Sequence, residues 1–255
     1  MYKHDNALID RIDLPAAVGL LTRLPIAVDG PRAMDRGAAS SWAYPLVGVI
    51  VGVVFAAATA LMLAIGIPAG IVAGLVLAGS VILTGAMHED GLADSADGLW
   101  GGWDKARRLE IMKDSAIGTY GVLALTLSVG LRWMTLAALL PFGVWPVIAA
   151  AALPRSLLPL LMVGLPNARG HGLSSKVGIP TRGPVAVAVL LGLLIGWIAV
   201  GPIIIGAWLV SVLCAMGLAL LARSRIGGQT GDVLGAVEQL GEIAVLLTLL
   251  ALAAH

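Results

Sequence analysis

The sequence predicts an all-α membrane protein, a polytopic bundle of about seven transmembrane helices with additional interfacial helices. Hydrophobic residues make up 59% of its 255 residues, charged residues only 12%, and the mean hydropathy is +0.97. Soluble domains average about 25% charged residues. Apolar runs of the length needed to cross a bilayer, about 20 residues, recur along the chain. There are seven of them: 42–66, 68–87, 118–140, 143–164, 183–201, 202–222 and the shorter 240–254.

The distribution of charge predicts the orientation of these helices. All of the 16 basic residues except Arg132 and Arg155 lie before the first run or after the second, fourth and sixth runs. The other connections carry no charge, and we assign the 15 acidic residues to the same segments as the basic ones. By the positive-inside rule these segments are cytoplasmic. The sequence therefore predicts a multi-pass protein of the cell inner (cytoplasmic) membrane, with a cytoplasmic N-terminus and an active site at the cytoplasmic face.

The chain is interpreted as one integral membrane domain, 1–255. Within it we expect an amphipathic N-terminal segment at 1–41, an acidic catalytic segment at 88–117, and cytoplasmic loops at 165–182 and 223–239. There is no P-loop, HExxH, paired CxxC or GxSxG motif. A basic stripe with interleaved aromatic residues is also missing, which excludes nucleic acid as an expected partner.

The acidic segment carries the strongest signal for chemistry. Asp90, Asp94 and Asp97 have i, i+4, i+7 spacing, which places them on one face of a helix. Three neighbouring carboxylates repel one another and favour a bound cation, and an all-oxygen ligand set favours Mg²⁺. We expect the helix of the second run to continue straight out of the membrane and carry them. His88 and Glu89 point away from this face and are weaker ligand candidates.

Two arginines, Arg132 and Arg155, fall inside apolar runs. A cation in the hydrocarbon region is costly unless it is paired or hydrated, so both are functional candidates by default. An anionic phosphate would be a suitable partner. The alternative is a structural pair with a buried carboxylate or carbonyl.

A second polar face is predicted near the C-terminus. Asp232, Gly235, Gln239 and Glu242 share one face of a helix, after a glycine-rich turn at 227–231. Earlier in the chain, Asp104 has the features of an N-cap for a short helix that ends near residue 114.

Three long motifs resemble the cobalamin 5′-phosphate synthase family, also called adenosylcobinamide-GDP ribazoletransferase. They read HEDGLADSADG from residue 88, RRLEIMKDSAIGTYG from residue 107 and GGQTGDVLGAVEQLGE from residue 227. Shorter stretches at 22–25, 44–48 and 168–173 resemble further motifs of the family. The resemblance therefore covers almost the whole chain in the same order.

This resemblance implies an integral inner-membrane enzyme that joins adenosylcobinamide-GDP to α-ribazole or α-ribazole 5′-phosphate and releases GMP, with Mg²⁺ as cofactor. It places Asp90, Asp94 and Asp97 in the aspartate motif of the family. It also assigns functional positions to Glu110, Lys113, Asp114, Asp232 and Glu242. One departure is Ala116, where the family commonly has an arginine.

Together these observations predict a mechanism. Mg²⁺ on Asp90, Asp94 and Asp97 would hold the diphosphate, and Asp97 or Asp114 would accept the proton of the ribose hydroxyl. Arg107 is the predicted catalytic cation. The predicted substrate-binding residues are Glu89, Glu110, Lys113, Arg132, Arg155, Arg169, Asp232 and Glu242. Two alternatives are a CDP-alcohol-type membrane phosphotransferase and a non-enzymatic transporter. We expect the acidic residues to lie outside the spans or at their edges, which makes the transporter less favourable.

Overall fold

The computed structural model describes residues 7–253. Within this range it has 13 α-helices, three short 3₁₀ helices and no β-strand, with one isolated bridge between Asn167 and Gln229. Six helices are long and apolar enough to cross a membrane, or up to seven if one bent pair counts as a span. The prediction of an all-α polytopic bundle is confirmed. Residues 1–6 of the predicted N-terminal segment, with Lys3, and residues 254–255 lie outside the described range.

The helices follow the apolar runs, because a backbone in lipid must satisfy its own hydrogen bonds and a helix does so within one segment. The first six are α1 (Asp13–Leu21), α2 (Gly30–Arg36), α3 (Tyr44–Ala64), α4 (Ala69–Thr84), α5 (Met87–Gly101) and α6 (Lys105–Ile111). The remainder are α7 (Thr119–Leu139), α8 (Trp145–Ala152), α9 (Leu157–Gly164), α10 (Leu173–Val177), α11 (Arg182–Val200), α12 (Ile203–Ile226) and α13 (Gly231–Ala253). The 3₁₀ helices are Gly37–Ala43, Leu140–Phe142 and Pro154–Ser156.

The junction between α4 and α5 corrects one prediction. The chain does not continue straight past the second apolar run, because α5 is bent by 87° from α4. The bend occurs at Gly85 (φ 68°) and Ala86 (φ 57°), two successive residues in the left-handed region. Ala86 is the one non-glycine residue with positive φ among the described residues. As a result α5, with its aspartates, turns away from the direction of α4 and packs against α13 and α7.

Three boundaries also differ from the predictions. Helix α6 ends at Ile111 and not near residue 114, although its predicted N-cap, Asp104, accepts the Arg107 N–H at 2.9 Å. Residues 223–239 are mostly helical instead of a loop, since only 227–230 separate α12 from α13. The last span begins at Gly231, so it encloses Asp232, Glu238 and Glu242. The argument that no acidic residue lies within a span is therefore wrong.

Helix α13 lies at the centre of the contacts that form the site, packing against α5, α7 and α12. Gly91 of α5 and Gly235 of α13 allow the closest approach. A Cβ atom on Gly91 would lie 2.7 Å from the Asp232 carbonyl oxygen, and one on Gly235 would lie 3.3 Å from the Gly91 Cα. Side chains are excluded at this crossing, and the polar ends of α5 and α13 are held side by side.

The N-terminal segment is fixed to the bundle by a buried ion pair. Asp13 at the start of α1 accepts hydrogen bonds from Arg36 Nε at 2.7 Å and from Trp42 Nε1 at 2.8 Å. Burial opposes ionisation of Asp13, but these hydrogen bonds outweigh it and keep its pKa below the ordinary value of 3.8. Helix α1 is thereby positioned so that Leu20 and Leu21 contribute to the cavity described next.

Candidate active site

An open cavity lies where the N-terminal ends of α5 and α13 meet the loop that follows α9. It encloses about 900 Å³ of empty space, counting the part open to solvent. Its polar residues come from the loop, from the glycine-rich turn before α13, and from α5, α10 and α13. Its apolar residues come mainly from α1, α3, α9 and α10, with Met87 of α5 and Leu234 of α13. The polar part of the lining is Asp90, Asn167, Arg169, His171, Ser174, Thr230 and Asp232, with the buried His88 beside it.

The polar wall combines two carboxylates with one guanidinium group. Asp90 and Asp232 come from different helices, and Arg169 reaches Asp232 with its Nη2 2.9 Å from Oδ2. The Thr230 hydroxyl also donates to Asp232 Oδ2 at 3.2 Å. Asp90 forms no ion pair among the described residues. The spacing of the aspartates correctly predicted a helix, α5, but the placement of Asp90 and Asp232 in one cavity depends on the fold.

The loop that carries Arg169 is pinned to the glycine-rich turn before α13. Gln229 donates its N–H to the Pro166 carbonyl oxygen at 2.8 Å and accepts the Ala168 N–H at 2.8 Å. The Asn167 side chain accepts the N–H groups of Arg169 and Gly170, at 3.1 and 2.9 Å. These bonds fix the loop backbone on both sides of Arg169, so its guanidinium group is held beside Asp232.

The other two predicted ligands on α5 have different environments. Asp94 is half-buried, and the charges of Asp90, Asp232 and Arg169 all act on it. Asp97 is 7% exposed and turns toward the start of α7. Its Oδ2 accepts the Gly118 N–H at 2.7 Å and its Oδ1 accepts the Gly121 N–H at 2.9 Å. Asp97 thus caps a helix N-terminus. Its predicted roles as metal ligand and base stay predictions.

The donor set at the cavity fits Mg²⁺ bound together with a substrate. Among residues 7–253, no group of three or more His, Cys, Asp or Glu side chains is arranged to hold a metal ion. Mg²⁺ commonly takes only one or two protein carboxylates and completes its coordination with water and substrate phosphates. Asp90, which lines the cavity, and Asp94, one helical turn further along α5, can supply such carboxylates, and Asp232 lines the same cavity.

Most of the remaining predicted substrate ligands form a buried ion-pair network instead. Arg132 of α7 is 2% exposed and binds Glu89 at 3.0 Å and Glu242 at 3.1 Å. Arg155 is 3% exposed and lies 2.7 Å from Glu238. None of these five residues lines the cavity. For Arg132 and Arg155 the structure therefore favours the alternative, a structural pair with a buried carboxylate.

The network ties the cavity helices to the rest of the bundle. Gln239 donates to Glu89 at 3.1 Å and His88 Nδ1 lies 3.5 Å from Glu238. Residues of α5, α7, α13 and the 3₁₀ turn at Pro154–Ser156 all take part. Since Glu89 and His88 precede Asp90 directly, the network fixes the start of α5 relative to α13.

The predicted residues on α6 and just after it lie on the surface. Arg107 pairs with Glu110 at 2.8 Å, and their side chains are 49% and 69% exposed. Asp114 is exposed and accepts the Ala116 N–H at 3.1 Å. Neither Arg107 nor Asp114 lines the cavity. Lys113 is connected to it indirectly, because its Nζ contacts Nε2 of His171.

Sequence reasoning missed two features of the site. Glu238 is the fully buried partner of Arg155, and its i, i+4 relation to Glu242 on α13 was the available signal. The apolar part of the cavity was also missed. It is formed by leucine and methionine residues that no pattern separates from ordinary core positions.

Comparisons with known proteins match the chain to one family model and to relatives that share one name. The family model described as cobalamin-5-phosphate synthase matches residues 13–250. Adenosylcobinamide-GDP ribazoletransferase of Bradyrhizobium diazoefficiens is 45% identical over 239 residues, which cover 92% of each chain. The protein of the same name from Rhizobium meliloti is 40% identical, over 92% of this chain and 94% of its own. That of Allorhizobium ampelinum is 39% identical, over 96% and 97%. No solved structure shows a significant match.

Proposed function

Because the chain belongs to the cobalamin-5-phosphate synthase family, we propose that it is a transferase of cobalamin synthesis that joins adenosylcobinamide-GDP to α-ribazole or α-ribazole 5′-phosphate and releases GMP. The observation that supports this most directly is the cavity in which Asp90 and Asp232 face Arg169. Carboxylates and a guanidinium group in one cavity are the groups that phosphoryl transfer needs, because the protein mainly positions the reactants and balances charge.

The reaction exchanges one phosphorus–oxygen bond for another. The ribose hydroxyl oxygen of the acceptor attacks the phosphorus that carries the cobinamide group, and the bond from this phosphorus to the bridging oxygen of the diphosphate breaks. GMP leaves with that oxygen, and the hydroxyl proton passes to a carboxylate. We assign this proton to Asp232, which lines the cavity and which Arg169 and Thr230 hold in place.

This assignment replaces the two bases expected from the sequence. Both oxygens of Asp97 already accept backbone N–H groups, and Asp114 lies on the surface outside the cavity. Asp232 needs no rearrangement to reach a ligand in the cavity. Arg169 would neutralise phosphate oxygens from the same side, since a guanidinium group can bind two of them at once. Arg107, exposed and paired with Glu110, stands outside this arrangement.

Asp90 and Asp94 would hold Mg²⁺. Bound there, the ion supplies positive charge that stabilises the diphosphate and the departing GMP. Asp90 and Asp94 would hold that charge in place, and Arg169 would supply a second positive charge to the substrate phosphates. We further place the cavity at the cytoplasmic face of the inner membrane, because the basic segments that flank it obey the positive-inside rule.

The proposal is tested with the purified full chain in lipid nanodiscs. Adenosylcobinamide-GDP, α-ribazole and Mg²⁺ are supplied, and GMP and the corrinoid product are followed by chromatography and mass spectrometry. We expect GMP and adenosylcobalamin in equal amounts, and no GMP when the acceptor is omitted. Release of CMP from a CDP-alcohol, or corrinoid flux into liposomes without product, would overturn the proposal and favour one of the two alternatives.

A further inference from the structure

The cavity has a second wall that the reaction as described does not use. Leu20 and Leu21 of α1, Tyr44 at the start of α3, Leu158 and Met162 of α9, and Val177 of α10 form it. Leu21, Tyr44, Leu158 and Met162 belong to one continuous core cluster, and each of them is at most 4% exposed. The cavity thus combines a charged wall with a wall made of aliphatic and aromatic side chains.

We propose that this apolar wall binds the base of the acceptor nucleoside and makes the enzyme selective for an apolar, planar base. The proposal rests on the proposed function and specifies which half of the reaction each part of the cavity serves. The base of α-ribazole is a dimethylated benzimidazole, which has no exocyclic amino or carbonyl group. Placed against the apolar wall, it leaves the ribose hydroxyl directed toward Asp90 and Asp232.

The other bound groups fit this wall poorly. Guanine presents amino, imino and carbonyl groups at its edge, and burying such groups without hydrogen-bond partners costs free energy. The leucine, methionine and valine side chains of the wall provide no partners, and Tyr44 adds a single hydroxyl group. The amide groups of cobinamide would lack partners there in the same way. The nucleoside base is the substrate part whose chemistry matches this wall.

The wall is built mainly by elements outside the catalytic helices. Leu158 and Met162 are one helical turn apart on α9, so they present adjacent side chains to the cavity. Leu161 lies between them in sequence but faces a different groove, between α9 and α12. The two residues form a matched pair on one helix, because both are buried: Met162 is 1% exposed and Leu161 is 8% exposed. Met162 lines the proposed base site, whereas Leu161 does not.

The test measures the KM for α-ribazole and the KM for adenosylcobinamide-GDP separately, with the protein in nanodiscs. Met162→Ala is expected to raise the KM for α-ribazole about tenfold, because lost apolar contact in a pocket costs about 10- to 200-fold, while the KM for adenosylcobinamide-GDP stays within about twofold. Leu161→Ala should change neither value. Met162→Leu, which conserves volume, should retain the wild-type KM. If Met162→Ala is poorly folded, Met162→Gln takes its place and should raise the KM for α-ribazole, because it puts an amide group against the base.

A second measurement compares acceptors. The wild type should use α-ribazole at least about tenfold more efficiently than the corresponding adenine nucleoside, and Met162→Gln should narrow this ratio. The proposal is overturned if Met162→Ala raises the KM for adenosylcobinamide-GDP instead, if Met162→Leu behaves like Met162→Gln, or if both nucleosides react equally well. In each of these outcomes wild-type GMP release is intact. Failure of the wild type to release GMP at all would instead contradict the proposed function.

Discussion

The carboxylate of Asp97 accepts the backbone N–H of Gly118 at 2.7 Å, one residue before α7 begins. With the second bond, from Gly121 at 2.9 Å, it satisfies two of the amide groups that a helix N-terminus leaves without partners. A Cβ atom on Gly121 would lie within van der Waals overlap of Asp97, so the glycine leaves room for the carboxylate. The two hydrogen bonds of Asp97 connect α5 to the start of α7.

We expect Asp97→Ala to destabilise the protein by about 1–3 kcal/mol, because two N–H groups at the start of α7, one buried and one partly buried, lose their acceptor. Thermal unfolding in detergent, followed by tryptophan fluorescence, measures the effect. Asp114→Ala is the matched control: it also removes a carboxylate that accepts one backbone N–H, but at an exposed site, and should leave the midpoint nearly unchanged. Equal midpoints for the two variants would contradict the capping role.

The buried ion-pair network makes a second prediction. Arg132→Met leaves Glu89 and Glu242 buried without their cation, and breaking a buried pair in this way costs about 3–5 kcal/mol. Arg107→Met breaks an exposed pair, which contributes at most about 1 kcal/mol. We therefore expect a large loss of thermal stability for Arg132→Met alone, in the same unfolding assay. If both variants melt with the wild type, the network does not stabilise the bundle.

The close crossing of α5 and α13 leads to a third prediction. Gly91→Ala places a Cβ atom 2.7 Å from the Asp232 carbonyl oxygen, and neither backbone can yield without moving the helices apart. Since Asp90 and Asp232 flank this contact, we expect GMP release to fall by about tenfold or more, in line with the sensitivity of catalysis to small displacements. Gly130→Ala on α7 has no atom within 4 Å and should have wild-type activity. Full activity of Gly91→Ala would show that this close approach is unnecessary.

The sequence was sufficient to predict the class of fold and some of the polar segments that line the cavity, those that carry Asp90, Arg169 and Asp232. Long apolar runs leave a membrane chain few options besides helices, and positions such as Asp104 at a helix start follow local rules. The predicted polar face of α13 is present in the structure. Its members, Asp232, Gly235, Gln239 and Glu242, line the cavity or contact α5 or α7. These features depend on periodicity within one helix, which the sequence displays directly.

What the sequence did not predict depends on contacts between helices. A bend at Gly85 and Ala86 has no strong local signal, because alanine rarely adopts positive φ. With that bend, Asp97 bonds to the start of α7 and Asp90 lines the same cavity as Asp232. For the same reason, Arg132 and Arg155 were open to two interpretations until their buried partners Glu242 and Glu238 were located.

The most direct test of the central claim, that the carboxylates of this cavity carry out phosphoryl transfer, is the Mg²⁺ dependence of GMP release by Asp90→Asn and Asp232→Asn in nanodiscs. Asp90→Asn should require more Mg²⁺ for half-maximal rate, whereas Asp232→Asn should lose about 100-fold or more in kcat with an unchanged Mg²⁺ requirement. Asp104→Asn, which keeps a good N-cap, should match the wild type. Wild-type turnover by both cavity variants at ordinary Mg²⁺ concentrations would contradict the account.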